Sequence, residues 1–404
     1  MGLRGGKTRV RDQEKAERIY KALDIFRIEL PSWGFANTGT RFGKYLQPAS
    51  ASSLEEKFAD ADIVHQLTGA SPSLALHVEW DLPRGLDDVP EVRFLEKKHG
   101  LRAGSINPNL FQAQDYKFGS ICNPDPAIRA KATDHLLLSI EIGKRLGSRD
   151  LSLWAADGSN YPGTQSIRRR IEWMTEALTT AHAALAPEQR MLIEYKPFEP
   201  AFYHTDIADW GMATELARAA GPQARVLVDT GHHYQGQNIE QIVAWLLHLN
   251  LLGGFHFNDR RYADDDLTLG SIDPYQVFRI FHEILNDPAA FPDIAFMIDQ
   301  SHNLKGKIEA MVQTVCTAQE LFARAALVDR ERLAELQQSC HLIEAEELFR
   351  SAFWEDVRPV VREWRRARKL AEDPLQALAE SGYVERIARE RGEKNAACTA
   401  ASYA

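Results

Sequence analysis

The chain has 404 residues, 44% hydrophobic and 26% charged, the balance of a globular protein able to bury one large domain with an annex, or two domains. Its 48 Lys and Arg stand against 57 Asp and Glu, a net charge of −9 that speaks against a general binder of nucleic acid. No apolar run is long enough to cross a bilayer, the basic N-terminus lacks the apolar stretch of a secretory signal, and the four cysteines are scattered, so the expected setting is the reducing cytoplasm with no membrane partner.

In chain order, residues 12–27 place Ile19, Leu23 and Phe26 at helical spacing, which predicts an amphipathic arm over 1–27. Short apolar runs then alternate with helix-periodic stretches. The strand candidates are 26–36, 74–80, 101–109, 151–158, 191–197, 225–231, 253–259 and 295–300. Between them lie helical patterns at 54–68, 85–99, 126–146, 164–185, 206–220, 238–250 and 273–286, with another at 305–328 after the last strand. Eight such units predict an α/β fold, a closed (β/α)8 TIM barrel over 28–328. An open doubly wound sheet would show a Gly-rich first turn, and no G-x-G-x-x-G occurs. From 329 to about 393 the pattern is nearly continuous helix, rich in Glu and Arg, which predicts a C-terminal helical extension over 329–404 ending in a small-residue tail.

Three segments imitate motifs. GLRGGKT has the wrong glycine spacing for a phosphate loop and no strand before it. DRRYADDD lacks the glycine and closing glutamate of a calcium hand. REWRRARK is read as a solvated helix face between acidic neighbours.

The chemistry is concentrated late in the chain. Four consecutive strands end in metal-ligand residue types: Glu194, Asp229, His256 and Asp299. In a (β/α)8 barrel the C-terminal strand ends converge on one face, so these residues would meet there. His232 follows Asp229 just past Gly231, and Asp264 and Asp266 lie in the loop after the seventh strand. Taken singly, an acid at a strand end is more often a helix cap and a histidine is more often structural. Their recurrence on four adjacent strands favours a shared metal site. Five carboxylates carry five negative charges, and two divalent cations return +4; without cations the cluster would have to protonate or open. Oxygen-rich ligands with two imidazoles suit Mn²⁺, Co²⁺ or Mg²⁺ better than a tetrahedral zinc. Lys196 shares a strand face with Glu194, and His77, Trp80 and Trp154 fall at other strand ends.

In the segments LALHVEWDLP, LWAADGSNYPGTQS, LIEYKPFEPAFY, VLVDTGHHYQGQN, GFHFNDRRYADDDLTLGSIDP and MIDQSHN, the sequence resembles the sugar isomerases of the xylose-isomerase-like barrel class. The likeness is strongest to the L-rhamnose isomerases of broad aldose specificity. Xylose isomerases carry an acid where His256 stands, which favours the rhamnose branch. The resemblance implies an aldose–ketose isomerase that uses two divalent ions, most simply Mn²⁺, in a hydride shift between C1 and C2 of a small sugar. Glu194 would bridge the ions. Asp229, His256 and Asp299 would complete the first site, and His232, Asp264 and Asp266 the second, with His232 preferred to His233 on the family pattern alone. Lys196, His77 and Asp266 take catalytic roles, Trp154 and Trp80 join Lys196 and His77 in binding substrate, and Phe42 shields the sugar from a neighbouring subunit. The implied assembly is a homo-oligomer, a tetramer. The rival readings are a one-metal ketose 3-epimerase, a metal-dependent endonuclease (disfavoured by the net charge) and a non-catalytic binding module.

Overall fold

The computed structural model describes residues 3–397 apart from 38, 41–42, 160 and 199–203. Helix α1 (Leu3–Ile25) leads into β1 (Leu30–Pro31), and seven parallel strands follow in sequential order: β2 (Ser73–His77), β3 (Arg102–Asn107), β4 (Asp150–Trp154), β5 (Arg190–Glu194), β6 (Ala224–Asp229), β7 (Leu252–Phe257) and β8 (Ala295–Ile298). Glu29 closes the ring. Its N–H donates to the Phe296 carbonyl at 2.8 Å, and its carbonyl accepts from Ile298 at 2.9 Å. The barrel expected from the sequence is the fold of this chain.

The helices of the barrel wall are α2 (Leu54–Thr68), α3 (Val89–His99), α4 (Pro126–Leu146), α5 (Ile167–Ala183), α6 (Trp210–Ala220), α7 (Ile239–His248), α8 (Pro274–Asn286) and α9 (Lys307–Ala326). Their ends are written in local chemistry. Ser53, Asp125, Ser166, Asp209, Asn238 and Asp273 cap the starts of α2 and α4 to α8 with side-chain oxygens. Gly69, Gly100 and Gly147 take the left-handed conformation that ends α2, α3 and α4.

Every strand is shorter than its apolar run, and at β1 and β2 the physical cause is visible. Pro31 has no N–H to extend a ladder, so the chain after β1 turns into a 3-10 helix over Ser32–Phe35. After β2, residues Val78–Asp81 form one helical turn instead of more strand. The Asp81 carboxylate holds that turn by accepting from the His77 N–H, the Ser32 hydroxyl and the Lys57 ammonium. Helix α1 begins nine residues earlier than its amphipathic period shows.

The C-terminal chain forms α10 (Arg330–Gln338), α11 (Leu342–Trp354), α12 (Arg358–Ala367), α13 (Pro374–Glu380) and α14 (Tyr383–Ala397). Ile19 and Leu23 of α1 pack with Val357, Val361 and Trp364 around α12, and the Trp364 indole donates to Asp24 at 2.9 Å. Helix α14 reaches back to α2, where buried Asp60 takes two bonds from Arg391, at 2.8 and 3.0 Å, and one from the Tyr383 hydroxyl at 2.8 Å. Among the described residues no helix is long and apolar enough to cross a membrane.

Removing one partner of a buried ion pair leaves an uncompensated charge, at a cost of about 3–5 kcal/mol. Arg391→Met is therefore expected to lower the unfolding midpoint by several degrees. Arg391→Met combined with Asp60→Leu should recover part of that loss. Equal stability of Arg391→Met and wild type in thermal or urea unfolding would show that the pair does not fasten α14.

Candidate active site

Parallel pairing sets the site. Trp154 lies opposite Glu194 between β4 and β5, and Asp229 lies opposite His256 between β6 and β7. His256 in turn lies opposite Met297 of β8, two residues before Asp299. The strand ends therefore bring Glu194, Asp229, His256 and Asp299 within one ion's reach, and Asp229, His232 and Asp264 form a second group beside them. Asp229 belongs to both groups.

Glu194 faces both imidazoles. Its Oε2 is 3.2 Å from His256 Nδ1 and its Oε1 is 3.2 Å from His232 Nδ1. His232 Nδ1 lies 3.0 Å from the Tyr195 carbonyl, which keeps a proton on Nδ1, so Nε2, 3.4 Å from Asp264, is the nitrogen that would give up its proton to meet a cation. His233 turns away, bonded to the Tyr195 hydroxyl at 2.7 Å, so the structure distinguishes the two adjacent histidines. Asp229 Oδ1 accepts from the Gly231 N–H at 2.6 Å and from Asn258 at 3.0 Å, and Oδ2, which Asn258 also reaches at 3.2 Å, lies 3.9 Å from both His232 Nε2 and His256 Nδ1.

Lys196 Nζ binds Asp264 at 2.5 Å and lies 5.2 Å from the centre of the Trp154 ring. Asp266 lines the same cavity but joins neither ligand group, and its φ of 46° is a left-handed conformation that aspartate tolerates better than most residues. Phe42 lies outside the described residues.

The cavity is about 390 Å³. One wall is the acidic and imidazole group, and the other is aromatic: Trp33, Trp80, Phe111 and Trp154. The Trp80 indole stacks on the His77 ring with centroids 3.6 Å apart, and Gln112 holds its N–H at 2.7 Å. Both His77 nitrogens are buried without a hydrogen-bond partner, and burial, reinforced by His135 and Lys57, pushes its pKa well below the ordinary value. His77 is neutral.

The metal-free electrostatics show what the cluster needs. Burial alone would deprotonate both ligand histidines, yet the carboxylates around them push His232 up to about 9 and His256 up to about 10. Burial, with Glu194, Asp264 and Asp299 nearby, pushes Asp229 up to about 7 against the pull of His232. Burial raises Asp266 well above the carboxylate range, helped by Asp264 and Asp299. Protons thus stand where cations would. The buried His256 Nδ1 and Asp264 Oδ1 have no hydrogen-bond partner, and the donor set is carboxylate with imidazole, so the residues fit divalent cations.

A further acidic group, Cys122, Asp157 and Asp206, is already neutralised by buried Arg170, whose Nη2 is 2.6 Å from Asp206. Asp157 accepts from the N–H groups of Ser120 and Cys122. It is structural.

Sequence reading left out Trp33, Asn107, Pro108, Phe111 and Ser152, which also line the cavity. Ser152 was within reach, because it sits two residues before Trp154 on the same strand face. Trp33 and Phe111 come from loops, where no period marks them.

A model of xylose isomerase-like TIM barrels matches residues 73–289, more than half of the chain. The chain belongs to the xylose isomerase-like TIM barrel family. A probable sugar isomerase of Rhizobium meliloti is 39% identical over 383 residues, covering 93% of this chain and 88% of the relative. Another, from Mesorhizobium japonicum, is 37% identical with the same coverage. Among solved structures, a D-allulose 3-epimerase from Methylomonas sp. superposes with a TM-score of 0.53 at 17% identity, covering 73% of this chain and 98% of that one. At that identity the likeness is one of fold.

A ligand that binds only the folded state at 100 times its dissociation constant stabilises by about 2.7 kcal/mol. Adding divalent transition-metal ions to chelator-treated protein is expected to raise the unfolding temperature, and Glu194→Gln should remove most of that rise. An unchanged melting temperature in the wild type would mean that the cluster holds no cation.

Proposed function

We propose that this member of the family is an aldose–ketose isomerase of the L-rhamnose isomerase type, interconverting L-rhamnose and L-rhamnulose and also other aldoses such as D-allose with D-allulose. The observation that carries the reading is one cavity in which two adjoining ligand groups and Lys196 face an aromatic wall. In this proposal Glu194, Asp229, His256 and Asp299 hold one ion, and His232, Asp264 and Asp266 hold a second beside Glu194. Mn²⁺ is the first choice for both, with Co²⁺ or Mg²⁺ as alternatives. The ions supply Lewis-acid stabilisation of the negative charge that develops on O1 and O2 as hydrogen moves between C1 and C2.

The chain's own residues do the rest. Lys196, held by Asp264, donates to the O1 end of the open-chain sugar. Neutral His77 offers one N–H and one lone pair, enough to give a proton to the ring oxygen and accept one from the anomeric hydroxyl as the ring opens. Its stack on Trp80 fixes the plane of that exchange. Asp266, raised well above the carboxylate range by burial, would release its proton on taking up the second ion. Trp33, Trp80, Phe111 and Trp154 exclude water and pack on sugar C–H faces, and their apolar surface suits the methyl end of a 6-deoxy sugar. We place the active form in the cytoplasm, on the scattered cysteines, as the homotetramer that the resemblance implies.

Two variants test the roles. Lys196→Met should keep the fold and both ions but lose kcat by roughly 100-fold, the ~3 kcal/mol typical of one charge-stabilising donor. Activity within a factor of two of wild type would remove Lys196 from the reaction. Asp266→Asn should retain about one tightly held ion per subunit and bind sugar while isomerisation nearly disappears, whereas Asp299→Asn should lose the tighter ion. Elemental analysis and turnover on the same samples decide between them. A panel of aldoses and ketoses decides the reaction class: C1–C2 interconversion is expected, and a C3 epimer as sole product would replace isomerase by epimerase.

A further inference from the structure

We propose that Asn395 on the C-terminal helix and Gln47 in the loop after β1 are positioning residues of the metal centre, acting on Asp299 through Trp33. The proposal rests on the reading above only in taking Asp299 as a metal ligand.

The argument begins with a difference among the carboxylates. The side chains of Asp229 and Glu194 are 0% and 3% exposed, whereas that of Asp299 is 26% exposed. Asp229 is aimed by the Gly231 N–H and Asn258, and Glu194 is flanked by two imidazoles. Among the described residues, the side-chain hydrogen bond that orients Asp299 comes from the Trp33 indole, Nε1 to Oδ1 at 2.8 Å. Trp33 sits in the 3-10 turn after β1, so the aim of Asp299 is as firm as that loop.

The loop is fastened from the far end of the chain. Residues 47–50 present four successive carbonyls to helix α14. Buried Asn395 donates to those of Pro48 at 2.7 Å, Ser50 at 2.9 Å and Gln47 at 3.3 Å, and Arg391 donates to that of Ala49 at 2.8 Å. The segment then grips the turn that bears Trp33. The Gln47 N–H donates to the Asn37 side chain at 2.9 Å, and the Ala51 N–H donates to the Phe35 carbonyl at 2.9 Å.

Gln47 also reaches across to the other side of Asp299. Its Nε2 donates to the carbonyls of His302, Asn303 and Lys305 at 3.2, 3.1 and 2.9 Å. These belong to the loop that leaves β8 a few residues beyond Asp299. One amide therefore ties together the two loops that flank the indole–carboxylate bond, and α14 anchors that amide's own loop. The C-terminal extension, remote in sequence from all the ligands, reaches the metal centre by this route.

The test uses the full-length protein and Mn²⁺ itself. Gln47→Glu and Asn395→Asp remove the donors at nearly constant size. Each should weaken binding of the tighter Mn²⁺ ion about 3- to 10-fold, less than the roughly 10- to 100-fold of direct outer partners of metal ligands because these residues act one step further out. Gln47→Lys keeps a donor toward the three carbonyls and should bind Mn²⁺ within twofold of wild type. Because both single changes act on one loop, the double variant should lose less than the product of the two losses. Binding is read from free Mn²⁺ by electron paramagnetic resonance, so absence of isomerisation in the wild type would not be mistaken for failure of this proposal. Mn²⁺ affinity within twofold of wild type in both donor-deleting variants would overturn it, even if their melting temperatures fell. If Asn395→Asp does not fold, the Gln47 pair decides alone: loss in Gln47→Glu with recovery in Gln47→Lys supports the proposal, and equal affinity in both refutes it.

Discussion

Five carboxylates and two imidazoles share a buried space at the mouth of the barrel, and their mutual repulsion is the constraint on which the rest depends. Two like charges 4 Å apart repel by about 4 kcal/mol at an effective dielectric of 20, while a hydrogen bond returns about 1 kcal/mol. The bonds from Gly231, Asn258 and Trp33 can aim Asp229 and Asp299 but cannot neutralise the group. Without a cation, the neighbouring carboxylates hold the two histidines toward their protonated forms, and burial raises Asp266 well above the carboxylate range and Asp229 to about 7. Such an arrangement is poised to exchange protons for divalent cations.

The opposite end of the barrel shows that buried acids need not imply chemistry. Glu29 is buried, but its carboxylate accepts from the Ser105 N–H at 2.8 Å and from the hydroxyls of Ser105 and Ser73. Asp150 pairs with Arg190 at 2.8 Å. There every oxygen has a donor and the layer is closed. At the C-terminal end, His256 Nδ1, Asp264 Oδ1 and both nitrogens of His77 lack a hydrogen-bond partner, and all three residues line the cavity. The contrast lies in satisfaction rather than in residue type.

The site also joins two solvents. Its acidic half favours ions and hydroxyl groups, and its aromatic half favours C–H surface. Lys196 stands where they meet, bound to Asp264 on one side and over Trp154 on the other. Lys196 lies two residues past the end of β5, where its N–H donates to the Ile207 carbonyl at 2.9 Å and its ammonium stands beside Asp264.

Much of this was legible in the sequence. Strands alternating with capped helices fix a parallel barrel, because caps and apolar periods are local properties of the chain. Convergence of the strand ends then places Glu194, Asp229, His256 and Asp299 together, since every parallel strand of a closed barrel ends on the same face. The sequence did not show where β2 stops, because the Asp81 carboxylate that turns the chain after His77 draws on Ser32 and Lys57, two partners distant in sequence. Nor did it separate His232 from His233, which the Tyr195 carbonyl and hydroxyl distinguish only after folding. The aromatic wall and the tie from Asn395 through Gln47 to the loops around Asp299 carry no period at all. Residue types and strand faces are set by local spacing, whereas the aim of each side chain depends on partners brought near by closure of the barrel, and only the tertiary structure decides those.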